Sequence, residues 1–190
     1  MRHLADEAEG IYYEPVVTPL EDASRWVQWA ETSATASSLD WDRNSQDTRY
    51  NLNQFWTLKR DHYNEDPTAW DRLDLRAFKA WAALAELGMV KDNPPAKPQY
   101  QTEAQQAYAG AIATAQRLGV STSALEHNAA FSGDWFREAQ TKGIDDSMKA
   151  AVTDRVNELL EEVNGILGLP IWVWVAGGAG LLWLLYGRKL

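Results

Sequence analysis

The chain contains no cysteine. That excludes a disulfide scaffold, thiol catalysis, and any zinc or iron–sulfur site built on thiolates. Histidine is scarce as well. His3, His62 and His127 are scattered, with no His-Glu-x-x-His spacing, and the chain also lacks a phosphate-cradling glycine loop and a Gly-x-Ser-x-Gly elbow. No metal, cofactor or catalytic residue is assigned from the sequence. Strand-like alternation, internal repeats and long low-complexity tracts are absent too. Positive charge is in deficit, with 18 Lys and Arg against 27 Asp and Glu, a net charge of −9. Every acid lies at or before Glu162, and Arg188 and Lys189 follow the last apolar run, so the part before that run is more acidic still. Such a surface repels phosphate backbones, and no nucleic-acid partner is expected.

What is present is a chain of 190 residues, 45% hydrophobic and 24% charged. That is enough for one ordinary domain, or one domain with an appendage. The longest uncharged run is Ile166 to Tyr186, 21 residues. An α-helix of that length crosses a hydrocarbon core of about 30 Å. Trp172 and Trp174 lie near one end, Trp183 and Tyr186 near the other, as in the interfacial belts of a bilayer span. Pro170 suits a first turn, where its missing N–H is harmless, and Arg188 and Lys189 form a basic anchor. The expectation is a single transmembrane helix over 166–187 and a basic tail over 188–190, with the lipid bilayer as a partner. Gly165 and Gly168 would make a joint before it. Ala176, Gly177 and Gly180 leave almost no side-chain volume on one helix face, which permits close helix–helix approach. The alternative is that small residues are simply common in membrane helices.

Residues Met1 to Ala8 lack the apolar core of a secretory signal. The expected arrangement is therefore a tail anchor with the acidic domain on the cytoplasmic side, in a host membrane or an internal virion membrane. Basic residues flank the run evenly, Lys149 and Arg155 before it and Arg188 and Lys189 after it, and do not orient it.

The remainder reads as helices. Residues 1–18 form an irregular arm. A Trp-rich helical subdomain follows over 19–91. Thr18-Pro19 opens its first helix, with Leu20, Ala23, Val27, Ala30 and Ala34 on one face. A second helix spans about Gln46 to His62. Asp66-Pro67 opens a third, carrying Trp70, Leu73, Ala77, Trp81, Leu84 and Leu87, with Gly88 as its C-terminal cap. Pro94, Pro95 and Pro98 mark a linker over 92–100. In the second helical segment, 101–165, an alanine-rich helix over Thr102–Leu118 stops at Gly119. Ser123 and Glu126 match a capping box, Ser132-Gly133-Asp134 interrupts the next stretch, and Gly143 ends it. Asp145 and Asp146 then open an amphipathic helix toward the membrane. Its stripe, Ile144, Met148, Val152, Val156, Leu159, Val163 and Ile166, fits packing on the bundle or a seam between subunits. The fold expected is all-α, a bundle of about five to six helices followed by one C-terminal transmembrane helix. Of the seven tryptophans in the soluble part, most are expected in the core, with Trp41 the exception.

Two stretches carry candidate chemistry. Asp40-Trp-Asp42-Arg-Asn44 places oxygen ligands at alternate positions, as a calcium loop does. However, the sixth position is Ser45, not glycine, and the twelfth is Asn51, not glutamate, so an acidic turn between helices is the stronger reading. Glu31-Thr32-Ser33 resembles the glutamate–serine element of lytic transglycosylases, in which one carboxylic acid protonates a glycosidic oxygen. The resemblance implies Glu31 as that acid. It covers barely two residues, the family's downstream glycine- and tyrosine-containing motifs do not follow, and a solvated glutamate is the alternative.

The function expected is that of a non-enzymatic, membrane-anchored structural or interaction protein, holding a partner or copies of itself at a membrane. A bacteriophage virion or genome-delivery component is one setting for it. The alternatives are a holin-like or pore-forming protein and a membrane-tethered cell-wall hydrolase acting through Glu31. An isolated 161–190 peptide separates anchor from pore: an anchor leaves dye-loaded vesicles intact, whereas a pore empties them.

Overall fold

The first helix starts where the sequence says a helix must start. Thr18 Oγ1 accepts the backbone N–H of Glu21 at 3.2 Å, and Glu21 Oε2 accepts that of Thr18 at 2.9 Å. This reciprocal pair satisfies two donors at a helix end. The computed structural model describes residues 17–37, 39–92 and 97–166. They form α1 (Pro19–Ala36), α2 (Trp41–His62), a 3-10 turn (Tyr63–Glu65), α3 (Pro67–Lys91), α4 (Pro98–Leu118), α5 (Ser123–Lys142) and α6 (Asp146–Ile166). Among the described residues the fold is thus all-α, with six α-helices and no strand. Asp66 caps α3 by accepting from Ala69 N–H at 3.0 Å. Asp145 caps α6 by accepting from Met148 N–H at 2.8 Å. Gly119 and Gly143 end α4 and α5 at φ 67° and 80°, a backbone region costly for any residue with a Cβ.

The third helix is the axis. It packs against α1, α2, α4 and α6, and every residue from Ala82 to Met89 is buried. A stretch that is apolar on every face but that of Glu86 has to be enclosed by other helices. Here the enclosing faces come from Val27 and Ala30 of α1, Leu52 and Phe55 of α2, Ala104 and Tyr108 of α4, and Val152, Val156 and Leu159 of α6. One core thus draws residues from both sides of the proline-rich segment, with Trp135 and Phe136 of α5 included. The α6 stripe is turned inward from Ile144 to Leu160, so over those residues it packs within the chain and is not free to form a seam between subunits.

Several boundaries differ from the sequence expectation. Gly88 does not end α3; the helix continues to Lys91. The glycine is there for space: a Cβ on it would meet Tyr100 Cε1 at 2.5 Å and Trp41 Cη2 at 2.9 Å. Gly110 of α4 similarly lies under the Phe78 ring, with which a Cβ would collide. Helix α2 begins five residues early because Asp40 caps it, accepting from Arg43 N–H at 3.3 Å. Helix α4 begins at Pro98, whose ring suits a first helical position. Ser132-Gly133-Asp134 lies inside an unbroken α5. The Ser123 capping box does not form. Thr122 takes the cap position and its hydroxyl donates to Glu126 Oε1 at 2.8 Å.

No helix among the described residues is long and apolar enough to cross a membrane. The expected span beyond Ile166, with Pro170, Trp172, Trp174, Ala176, Gly177, Gly180, Trp183 and Tyr186, and the basic tail with Arg188 and Lys189 lie outside the described residues, as do residues 1–16 of the arm expected over 1–18.

Two glycine substitutions should move stability in opposite directions. Gly88→Ala gains helix propensity but forces an aromatic ring aside, and is expected to cost roughly 1–3 kcal/mol. Gly133→Ala meets nothing within 4 Å and is expected to stabilise by about 0.5–1 kcal/mol. Urea unfolding midpoints measure both.

Candidate functional site

Three arrangements of side chains are candidates for function: charged clusters along α3, an exposed aromatic patch on α1 and α2, and an open groove beside α3.

The charged clusters arise because α3 carries carboxylates on buried faces. Arg117 of α4 donates to Asp71 at 3.0 and 2.9 Å, and the Tyr63 hydroxyl donates to it at 3.2 Å. Asp74, one turn on, accepts from Lys59 Nζ at 2.5 Å, Trp56 Nε1 at 3.1 Å and the Thr114 hydroxyl at 3.1 Å. The Arg117 hydrogen bonds hold the Asp71 carboxyl below its ordinary range, outweighing burial. Farther along, Glu86 is fully enclosed. Tyr108 donates to its Oε1 at 2.8 Å, and Arg155 Nε of α6 stands 3.5 Å from Oε2. Burial pushes the Glu86 carboxyl up, against the pull of Arg155 and the Tyr108 hydroxyl. Arg155 also donates to the Asn128 carbonyl at 2.6 Å and covers the Phe131 ring at 4.1 Å.

These groups join helices and converge on no opening, which is the signature of structural ion pairs. Glu31 belongs with them. Arg76 of α3 donates to both its oxygens, at 2.8 and 2.5 Å, so this carboxylate ties α1 to α3 and is not the solvated glutamate of the alternative reading. Asp40 and Asp42 stand at the start of a helix, not in a metal loop. No group of three or more potential metal ligands occurs among the described residues. His62 bonds Glu65 at 2.7 Å on the surface.

Trp41, the expected exception to core burial, packs edge-on to Tyr100 at 5.9 Å, over Gly88. Among the described tryptophans Trp29 is the exposed one, at 48%, beside Tyr50 at 58%. Trp26 bridges them, with ring centroids at 4.9 Å from Trp29 and 5.8 Å from Tyr50. Trp70 and Trp135 are buried, and Trp56 and Trp81 pack against the core.

Sequence reasoning missed the groove. It is an open depression of about 960 Å³ between the first turns of α1, the exposed side of α3, the end of α4 and the start of α5. Leu20, Leu73, Leu75, Leu118, Val120 and Leu125 give it an apolar floor, and Arg72, Arg76 and Lys79 line one side. These three cations are spaced four and three residues apart, which puts them on one face of α3. That spacing was legible; the gap between neighbouring helices was not. No family model, curated protein or solved structure matches the chain.

The Asp71 cluster has a definite pH signature. A depressed carboxyl contributes stability that is fully present above its ordinary value of 3.8 and is lost as pH falls through the folded value. Asp71→Asn is expected to cost roughly 3 kcal/mol at pH 7, the low end for a buried pair because Arg117 is partly exposed. The gap between variant and parent should narrow below pH 3.8. An equal gap at pH 7 and pH 3 would refute an ionised Asp71 as the partner of Arg117.

Proposed function

We propose that the chain is a non-enzymatic, single-pass membrane-anchored interaction protein, whose helical bundle holds a partner or further copies of itself at a membrane surface. The observation that carries this reading is the uncharged run from Ile166 to Tyr186 with tryptophan and tyrosine at its ends. Helix α6 supports it from the other side. It is packed on α3 through Val152, Val156 and Leu159 and is described as far as Ile166, where the uncharged run begins, so an anchor formed by that run would follow directly on a helix of the core. The Trp29–Trp26–Tyr50 patch is the docking surface of this proposal, since exposed aromatics supply large contact area at little entropic cost. A bacteriophage virion or genome-delivery component is the setting this combination fits. The acidic bundle then lies on the cytoplasmic side, or within a virion beneath an internal membrane.

The second reading is a holin-like or delivery pore. The specific feature in its favour is Ala176-Gly177-Gly178-Ala179-Gly180, which leaves little side-chain volume between neighbouring helices.

The test is membrane partition followed by mass. Full-length protein is expected in the membrane fraction and resistant to alkaline wash, with residues 1–165 in the supernatant. Full-length protein in the supernatant overturns the anchor. Light scattering in mild detergent then separates the readings: a large assembly formed only by the full chain favours the pore, and a monomer in both forms favours an anchored adaptor. For the docking surface, replacing Trp29 and Tyr50 together by alanine is expected to weaken association at least tenfold. The same change should shift unfolding free energy by no more than about 0.5 kcal/mol per site, as for other exposed positions.

A further inference from the structure

Glu86, Ser132 and Arg155 bring together three polar atoms that the surrounding side chains leave unpaired. Glu86 Oε2, Ser132 Oγ and Arg155 Nε are each shut off from solvent and have no hydrogen-bond partner among the described residues. They come from three different helices, α3, α5 and α6. The remainder of each charged group is already committed. Glu86 Oε1 accepts from the Tyr108 hydroxyl at 2.8 Å. Arg155 uses Nη2 on the Asn128 carbonyl at 2.6 Å and on the Tyr108 oxygen at 3.4 Å, and the Phe131 ring covers its guanidinium at 4.1 Å. Nε and Oε2 are left 3.5 Å apart, beyond the usual range of an N–H···O bond. Burial pushes the Glu86 carboxyl up, while Arg155, Tyr108 and Ser132 pull it back. The serine hydroxyl therefore lies beside the same carboxyl, though not aligned to bond it.

Polar atoms buried without a partner are costly, and folded chains satisfy nearly all of them with protein groups or ordered water. The chemistry of these three defines narrowly what can satisfy them together. An ionised Oε2 only accepts, Nε–H only donates, and the hydroxyl does either. The ligand must therefore both donate and accept. It must be neutral, because Glu86 and Arg155 already balance each other's charge. It must also be small, because none of the three atoms reaches solvent. We propose that a water molecule is built into the bundle at this point, bridging α3, α5 and α6 through Glu86 Oε2, Ser132 Oγ and Arg155 Nε. Buried waters make about three hydrogen bonds to otherwise unpaired groups, and three are on offer here. The water accepts from Nε, donates to Oε2 and shares one bond with the hydroxyl. It suits either protonation state of Glu86, since it can turn to accept from a neutral carboxyl where a fixed donor could not. Beside the Asn128 carbonyl, the bridge is a second polar attachment of α5 to the Glu86–Arg155 pair. The assignment stands apart from any membrane role.

Oxygen-17 relaxation dispersion counts long-lived internal waters and does not register hydroxyl protons, so it tests the assignment directly on the full-length protein in mild detergent. Ser132→Val sets methyl groups where the hydroxyl and the water lie. It is expected to lower the count by one water per chain, with helix content by circular dichroism unchanged. An unchanged count in a folded Ser132→Val variant overturns the proposal. A crystal structure of the unaltered chain decides the matter if valine unfolds the bundle. The expected result is density for a water within about 2.7–3.2 Å of all three atoms. Ser132 Oγ and Arg155 Nε bonded directly to Glu86, with no density between them, overturns the proposal.

Discussion

Enclosing most of a helix leaves the charged groups on its covered faces no water to turn to, and α3 carries Asp71, Asp74, Lys79 and Glu86 at buried positions. Each surrounding helix therefore has to supply a partner of the right sign at the right height. Helix α2 supplies Lys59 and Trp56, α4 supplies Arg117, Thr114 and Tyr108, and α6 supplies Arg155. Arg76, on the less enclosed side, takes Glu31 of α1. Separating one of these carboxylates from its cation would leave an uncompensated charge in the interior, which is strongly destabilising. The pairings therefore penalise a shift of a neighbouring helix along α3, beside the steric limits set where Tyr100 meets Gly88 and Phe78 meets Gly110.

Much of this was readable in the sequence because the relevant physics is local. A cap needs a side chain three residues from the N–H that it accepts, and Thr18, Asp66 and Asp145 sit at that spacing. The stripes of α1 and α6 follow the helical period and face the core as the period dictates. What failed was non-local. A glycine looks the same whether it ends a helix or makes room for a ring, and Gly88 does the second only because Tyr100 and Trp41 arrive from other helices. Gly133 sits in open space and α5 runs through it, since its flanking turns outweigh one glycine's cost of about 1 kcal/mol.

The candidate sites divide the same way. Glu31 was legible as an acid but not as the counter-ion of a residue 45 positions away. Trp41 lies in a polar stretch and for that reason looked exposed, yet the ring covering it belongs to Tyr100. Trp29 sits among apolar helix positions and looks buried, yet it is 48% exposed and none of the described helices covers it. In both cases sequence neighbourhood describes the near turns of one helix, while exposure is decided by the other helices. The groove is the extreme instance, since it is made of the space that α1, α4 and α5 leave beside α3.

The packing of α6 also decides whether that helix can come loose by itself. It is held to the bundle by Val152, Val156, Leu159 and Leu160, all buried, and by Arg155, which faces Glu86 of α3 and donates to the Asn128 carbonyl of α5. Releasing α6 would expose those four side chains and strand a buried carboxylate in the same step, so this helix should melt together with the core and not ahead of it.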